Sequence, residues 1–394
     1  MHHRLDAALQ RQLDALQTQS MRRRLRPLPH SGRHITCHNQ SLINLAGNDY
    51  LALSQHPHLK QAACDAIAIH GTGAGASRLV VGHFDLHDQI EQQCAAFKHA
   101  QAALLMPTGY MANLALLTTL PGKGDLICLD KLNHASLIDA ARASDAIARS
   151  YPHLQTDKLK RLLEQHQKAS PDHHRFVVTD AVFSMDGDCA NLPALADLCQ
   201  QYDAHLIVDE AHSTGLFGAQ GSGLCEAVGI TDRVTAVVST ASKALGGLGG
   251  IITGSQPIID TLINRARPLI YTTAIPAHQA AGIGAALDVI RDEPSRREHL
   301  AQLCTRLEDD LRQAGWALPA RSHPTPIFPL IVGSAPQALA LAKHLQHQGL
   351  LAIAIRPPTV SPGKSRVRVS LRADLDHADL DRLLDALRSA DACP

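Results

Sequence analysis

The chain has 394 residues, 45% hydrophobic and 19% charged, with 37 basic and 37 acidic residues and a formal net charge of zero. That length suits roughly two to three domains or one large domain with an appendage, and the apolar content excludes a disordered protein. Neutral charge and only 3% aromatic residues exclude the basic fields and stacking platforms of nucleic-acid binders. No run of about 18 apolar residues is present to span a membrane. The start, MHHRLDAALQ, lacks the apolar core of a signal peptide, so a cytoplasmic protein is expected. Nine cysteines, none in a Cys-x-x-Cys pair, fit scattered buried thiols in a reducing compartment and neither a disulfide framework nor a metal site.

Leu5, Leu9, Leu13 and Leu16 stand at helical spacing and predict a helix over 4–20. A basic run, Arg22 to Arg24 with Arg26, leads into Pro27 and Pro29 and reads as an arm, so 1–49 is taken as an N-terminal helix and arm. A helix is expected from about Asp85, with Leu86, Ile90, Cys94 and Phe97 on one face. Apolar runs then recur at 102–106, 126–129, 176–180, 205–209, 234–240 and 250–254, separated by helical patterns. Continuous rather than alternating apolar runs indicate strands buried on both faces. Their alternation with helices predicts a mostly parallel sheet covered by helices, an α/β domain over 50–285. Beyond it, 286–394 reads as a small α+β domain. It would hold a helix over 292–315 with Leu300, Leu303, Leu307 and Leu311 inward, a strand in 323–333 and a helix over 336–348. Strands at 350–355 and 366–371 and a helix at 376–389 complete it.

In HLIVDEAHSTG (205–215) an apolar strand ends on Asp209, with His212 three residues on. Ligands of open α/β sheets bind outside the carboxyl ends of strands; otherwise Asp209 merely caps the following turn. The letters Asp209 to His212 also spell a helicase box, but that requires an upstream phosphate loop. The only Gly-Lys-Ser, 363–365, lies downstream and has Pro358 where the first glycine belongs. Gly71 to Ala76 matches the dinucleotide fingerprint only weakly, and is read as a tight backbone approach near a ligand or subunit interface. In VVSTASKALGGLGG (237–250) Lys243 follows a buried strand, beside Thr240 and close-approach glycines. Partial burial lowers an amine's pKa and makes it nucleophilic; the alternative is an exposed loop lysine. Pro107-Thr108-Gly109-Tyr110 opens a helix, whose first amides suit phosphate, and Tyr110 adds an aromatic face. His134 sits in the loop after 126–129, where a histidine alone is more often structural.

These segments, with NDYLALS (48–54), TDAVFSMDGD (179–188), LIYTTAIP (269–276) and AIRPPTVSPGKSRVRVSL (354–371), resemble the α-oxoamine synthases. These are fold-type I pyridoxal-phosphate (PLP) enzymes, with a large domain, a small C-terminal domain and an N-terminal helical arm. The resemblance covers essentially the whole chain. The Ile-Arg-Pro-Pro-Thr-Val segment and the N-terminal arginines favour the biotin-synthesis branch, which condenses L-alanine with a pimeloyl thioester on acyl carrier protein or CoA. Among the alternatives are sister synthases joining glycine to acetyl-CoA or succinyl-CoA, a silent partner subunit, which would lack the lysine, and a dinucleotide oxidoreductase.

The resemblance implies roles. Lys243 carries PLP, Asp209 pairs with the ring nitrogen, His212 bonds the ring 3-oxygen, and His134 stacks on the ring. Ser184, Thr240, Gly109 and Tyr110 hold the cofactor and its phosphate. Thr272 and Thr273 reach the phosphate of a neighbouring subunit, which implies a homodimer with shared active sites. Arg368 and Asn48 hold the alanine carboxylate, Arg22 meets the far end of the acyl chain, and Thr359 lies near product. The sequence departs from the family around the lysine, where Ala241 and Ser242 precede it, and at Asp180, where the family often has glutamate. Of the 24 histidines, only His134 and His212 are assigned chemistry; the others, including His2, His3, His173 and His174, read as polar surface or as a compositional bias without explanation.

Overall fold

The computed structural model describes residues 2–29, 32–37 and 39–390. Cys393 and the side chain of His2 lie outside the described residues.

The strands in chain order are β1 His34–Cys37, β2 Gln40–Asn44, β3 Ala102–Met106, β4 Leu126–Asp130, β5 Ile147–Tyr151, β6 Arg175–Asp180, β7 His205–Asp209, β8 Ala236–Thr240, β9 Gly250–Gly254, β10 Ile327–Gly333, β11 Leu350–Leu351, β12 Ile353–Ile355 and β13 Ser365–Ser370. Seven form the central sheet in the order β3-β9-β8-β7-β6-β4-β5. From β8 to β5 every pairing is parallel, whereas β9 runs antiparallel to both neighbours. All residues of β3, β4 and β6 are buried, because apolar clusters cover both faces. That explains their unbroken apolar runs. β5, at one edge of the sheet, is largely exposed, with the sequence IARSY. It carries no apolar run, and the sequence patterns did not reveal it.

The C-terminal part holds the sheet β10-β13-β12. The stretch 350–355, expected as one strand, divides at Ala352. β11 joins β1 and β2 in a separate sheet, while β12 pairs with β13. The segment expected as an arm therefore contains two strands, β1 and β2, of which β2 pairs with β11 of the C-terminal part. The helix expected over 292–315 is Ser295–Gln313, with Leu300, Leu303, Leu307 and Leu311 buried. Pro294 precedes it, where its missing N–H costs nothing. The N-terminal helix His2–Thr18 keeps Leu5, Leu9, Leu13 and Leu16 exposed within this chain.

Gly71 to Ala76 follows the helix Pro57–His70 and no strand, which removes the dinucleotide reading. A Cβ at Gly71, Gly73 or Gly75 would meet nothing within 4 Å in this chain. The close approach expected there is absent within the chain, and positive φ at Gly71 and Gly75 is what glycine supplies.

Candidate active site

Because β4, β6, β7 and β8 are parallel, their last residues, Asp130, Asp180, Asp209 and Thr240, reach the same edge of the sheet. Asp180 stands beside Asp209 in the β6–β7 register, so their side chains leave the same face. Two buried carboxylates side by side disfavour joint ionisation. Burial, then Asp209, pushes Asp180 well above the ordinary carboxylate range, opposed by the His134 N–H at 2.8 Å and by Lys243. Asp209 accepts from Asn113 Nδ2 at 2.7 Å and from the Ala211 N–H at 2.8 Å.

Asn113 lies on the helix Gly109–Leu117, and its amide also donates to Ser136 Oγ at 2.8 Å. The Ser136 hydroxyl in turn lies 2.7 Å from His134 Nδ1. With that nitrogen accepting, His134 carries its hydrogen on Nε2. Its imidazole also caps the helix Ala135–Ala143, accepting the Ser136 N–H. Burial lowers its pKa, Asp209 opposes, and Lys243 adds to the lowering. His212 Nδ1 lies 2.7 Å from the Tyr50 hydroxyl. Burial first, then Lys243, Arg368 and His134, holds His212 well below its ordinary value and therefore neutral.

Lys243 sits in the turn after β8. Part of its surface stays accessible, yet protein surrounds it closely enough that burial lowers its pKa to about 8. Asp209 and Asp180 pull that value up, and Arg368 pushes it down. Arg368, on β13, donates to Asn48 Oδ1 at 2.8 Å and to the Ser184 carbonyl at 3.0 Å. These bonds fix its planar fork, which matches carboxylates.

The cradle lies at the start of the helix Gly109–Leu117. Thr108 caps it, taking the Met111 N–H on its hydroxyl and the Ala112 N–H on its carbonyl. The Gly109 and Tyr110 amides precede any intrahelical acceptor, as at every helix N-terminus. A Cβ at Gly109 would lie 3.2 Å from Thr240 Cβ, and one at Gly250 would run into the Thr108 carbonyl and come within 2.9 Å of the Gly109 nitrogen. Thr240 Oγ1 donates to the Gly249 carbonyl at 2.9 Å.

The residues thus fit PLP on three observations. A glycine-lined helix N-terminus suits a phosphate, a buried carboxylate faces an amine of lowered pKa, and Asn113 Oδ1 is buried beside them without a partner.

The class I and II aminotransferase family model matches residues 40–387. A putative 8-amino-7-oxononanoate synthase of Geobacillus kaustophilus (strain HTA426) is 43% identical over 372 residues, 94% of each chain. The chain belongs to the 8-amino-7-oxononanoate synthase family. A solved 8-amino-7-oxononanoate synthase from Francisella tularensis is 29% identical with a TM-score of 0.75, covering 88% of this chain and 96% of that one. A serine palmitoyltransferase solved with PLP as its internal aldimine is 27% identical with a TM-score of 0.88, covering 97% and 95%. The fold is therefore the fold-type I PLP-dependent transferase fold, as expected from the resemblance.

Against that family frame, the expected residues divide. Asn48, His134, Ser184, Asp209, His212, Lys243 and Arg368 converge through the contacts above. Tyr110 is partly exposed and donates its hydroxyl to Asp139 at 2.6 Å. Thr272 and Thr273 make no hydrogen bond to this cluster; their loop is held by His87 Nε2 against the Ile275 carbonyl at 2.8 Å and by Ala274 N–H to Ala76. Arg22 is half-buried after the first helix. Its neighbour Arg23 is the one that reaches Thr359 Oγ1, at 3.4 Å, and the Pro357 carbonyl, at 3.2 Å. Tyr50, Asn113, Ser136 and Asp180 were not assigned to the site from sequence. Tyr50, Ser136 and Asp180 lie inside segments that resemble the family (Ser136 in LNHASL, 132–137), and Asn113 sits one helical turn after Gly109, but none carries a spacing signal of its own. The histidines read as polar surface include two that are not: His87 is fully buried, and His153 bridges two buried carboxylates.

Proposed function

We propose that the protein catalyses the decarboxylative condensation of L-alanine with a pimeloyl thioester. The products are 8-amino-7-oxononanoate, carbon dioxide and the free thiol of acyl carrier protein or CoA, and the cofactor is PLP. The observation that carries the reading is the convergence of Lys243, Asp209, His134 and Arg368 on one edge of the sheet, in a chain 43% identical to a relative of that name. When bound, PLP supplies an electron sink for charge at the amino-acid α-carbon.

The chain's residues supply the rest. Gly109 and Tyr110 amides, with Thr240 and Ser184, hold the cofactor, and Asp209 keeps the ring nitrogen protonated. With PLP bound, His212 would offer its Nε2–H to the ring 3-oxygen, and His134 would lie against the ring and limit water. Arg368, pinned by Asn48, binds the alanine carboxylate. With a pKa of about 8, Lys243 has a neutral fraction near pH 7 and takes or returns a proton at Nζ. Arg22 serves the distal end of the acyl chain, and Thr359 the product region.

A homodimer with shared sites is part of the proposal, with Thr272 and Thr273 serving the partner's phosphate. The exposed leucines of the first helix and exposed Leu79, Val80, Val81 and Tyr271 support it, since a monomer rarely leaves so many large apolar groups in water. A cytoplasmic location accords with the free cysteines, of which only Cys64 is exposed among the described residues. No helix of the described residues is long and apolar enough to cross a membrane.

Two measurements test the reading. Lys243→Ala abolishes the visible absorbance band of the lysine-bound cofactor; an unchanged spectrum refutes the lysine assignment. Thiol release is then followed for alanine, glycine and serine against pimeloyl, acetyl and succinyl thioesters. Alanine with pimeloyl is expected to lead, and a faster reaction of glycine with a short thioester overturns the substrate assignment.

A further inference from the structure

His153 follows β5, on the side of the sheet away from Lys243's strand. Its Nδ1 lies 2.9 Å from Asp130 Oδ1 and its Nε2 lies 2.7 Å from Asp188 Oδ2. Both aspartates are buried, and the ring meets Phe183 edge-on at 4.4 Å between centroids. A neutral imidazole has one N–H and would turn a lone pair toward one of these carboxylates. With both aspartates as carboxylates, which only accept, both nitrogens donate.

Each aspartate belongs to a loop of the active site, Asp130 holding its loop through side chain and backbone and Asp188 through its backbone. Asp130 accepts the Leu132 N–H at 2.8 Å on Oδ1 and the Leu154 N–H at 2.9 Å on Oδ2, and its carbonyl takes the Asn133 N–H. His134 is the next residue. Asp188 closes the turn 183–188 through its carbonyl and the Phe183 N–H at 2.9 Å. That turn carries Ser184, whose carbonyl holds Arg368 at 3.0 Å. Leu154, beside His153, has φ of 57°, a conformation that a leucine keeps only where surrounding bonds hold it.

We propose that His153 is a positioning residue for the reaction: one imidazolium, bonded through both nitrogens to Asp130 and Asp188, holds the His134 loop and the Ser184–Arg368 loop in fixed relation. The proposal rests on the function given above, which is what makes those two loops active-site walls. The titratable groups facing the ring are Asp130 from β4 and Asp188 from the turn, with Tyr151 of β5 behind Asp130. Although burial alone would lower the ring's pKa, the two carboxylates raise it to about 10, so the clamp persists through the neutral range.

The test uses the PLP-loaded protein with His153→Gln, which keeps one donor, and Asp188→Asn, which keeps the ring. Nitrogen-15 shifts of the labelled wild-type ring should report protonation at both nitrogens at pH 8. His153→Gln should keep the cofactor absorbance, because Lys243, Asp209 and the Gly109–Tyr110 amides lie on other elements. Its kcat/KM should fall on the order of 10- to 100-fold, mainly through kcat, as loop misplacement predicts. Asp188→Asn should add an alkaline limb to kcat/KM below that of the wild type, as the ring loses its proton earlier. A wild-type ring neutral at pH 8, or a His153→Gln protein that melts earlier yet keeps kcat/KM and pH profile, overturns the proposal. The functional reading fails separately, if wild-type protein does not turn over alanine with a pimeloyl thioester while the ring still reads as doubly protonated.

Discussion

The Tyr50 hydroxyl and His212 Nδ1 are 2.7 Å apart, with Tyr50 fully buried and His212 nearly so. Burial keeps the phenol protonated by raising its pKa, and the same burial keeps His212 neutral. A neutral imidazole has a single N–H; with the Tyr50 hydrogen assigned to the shorter contact, His212 Nδ1 at 2.7 Å rather than Asn48 Oδ1 at 3.3 Å, that N–H is on Nε2. Tyr50 thereby decides which His212 nitrogen can donate to a bound ligand.

Tyr50→Phe removes that control while keeping the ring volume. The variant should fold and bind PLP, with kcat/KM lower by about 10- to 100-fold, by analogy with the loss when outer partners of metal-ligating histidines are removed. Steady-state kinetics beside the cofactor spectrum check this; full activity would show that His212 is oriented by other contacts.

Behind Asp209 lies a buried ion pair. Lys98 Nζ donates to Glu210 Oε2 at 2.6 Å and to Thr214 Oγ1 at 2.7 Å. Glu210 Oε1 accepts the Cys225 N–H at 2.8 Å. Lys98→Met leaves an uncompensated buried charge next to Asp209 and should destabilise by about 3–5 kcal/mol. Lys98→Met with Glu210→Gln should regain much of that. Thermal or urea unfolding of the three proteins distinguishes a pair effect from simple loss of packing, in which case the double variant is no better than the single one.

Gly250 lies under the helix N-terminus proposed to hold the phosphate, where a Cβ would press on Thr108 and Gly109. Gly250→Ala should displace the Gly109–Tyr110 amides at a cost of about 1–3 kcal/mol, the usual range for overpacking. Equilibrium dialysis should show PLP binding weakened by more than the melting temperature of the cofactor-free protein suggests. An unchanged PLP affinity would place the phosphate elsewhere.

Lys243 introduces a pH dependence in the cofactor-free protein. Its folded pKa of about 8 lies below its ordinary 10.5, so between those values the unfolded chain binds the proton and the folded chain does not. Stability from this group therefore rises with pH across that window, and is lower below about pH 8, where the folded state must charge a surrounded amine. Lys243→Met should raise the melting temperature of cofactor-free protein below pH 8, with the advantage shrinking as pH approaches 10.5. A constant difference across that range would mean that the lysine is freely solvated.

Much of this molecule could be read from local pattern. The apolar runs at 102–106, 205–209 and 250–254 coincide with β3, β7 and β9, because burial on both faces removes polar residues from a strand. Asp209, His212 and Lys243 stood out because each follows such a run directly. β5 escaped because it is largely exposed, with only Tyr151 buried, whereas β3 at the other edge is buried throughout and carries an apolar run. The division of 350–355 between two sheets escaped because alternation in a strand does not reveal which partner each half chooses.

The amino-acid sequence alone therefore determined a mostly parallel α/β sheet and placed Asp209, His212 and Lys243 at or just beyond its strand ends, since periodicity and strand termini are properties of neighbours in the chain. Only the tertiary structure decided how those groups are tuned. The Asp180–Asp209 register, the path from Asn113 through Ser136 to His134, and the Lys98–Glu210 pair all join residues far apart in the chain. Their effect comes from burial and distance, which are set when the sheet closes and which no spacing along the chain encodes.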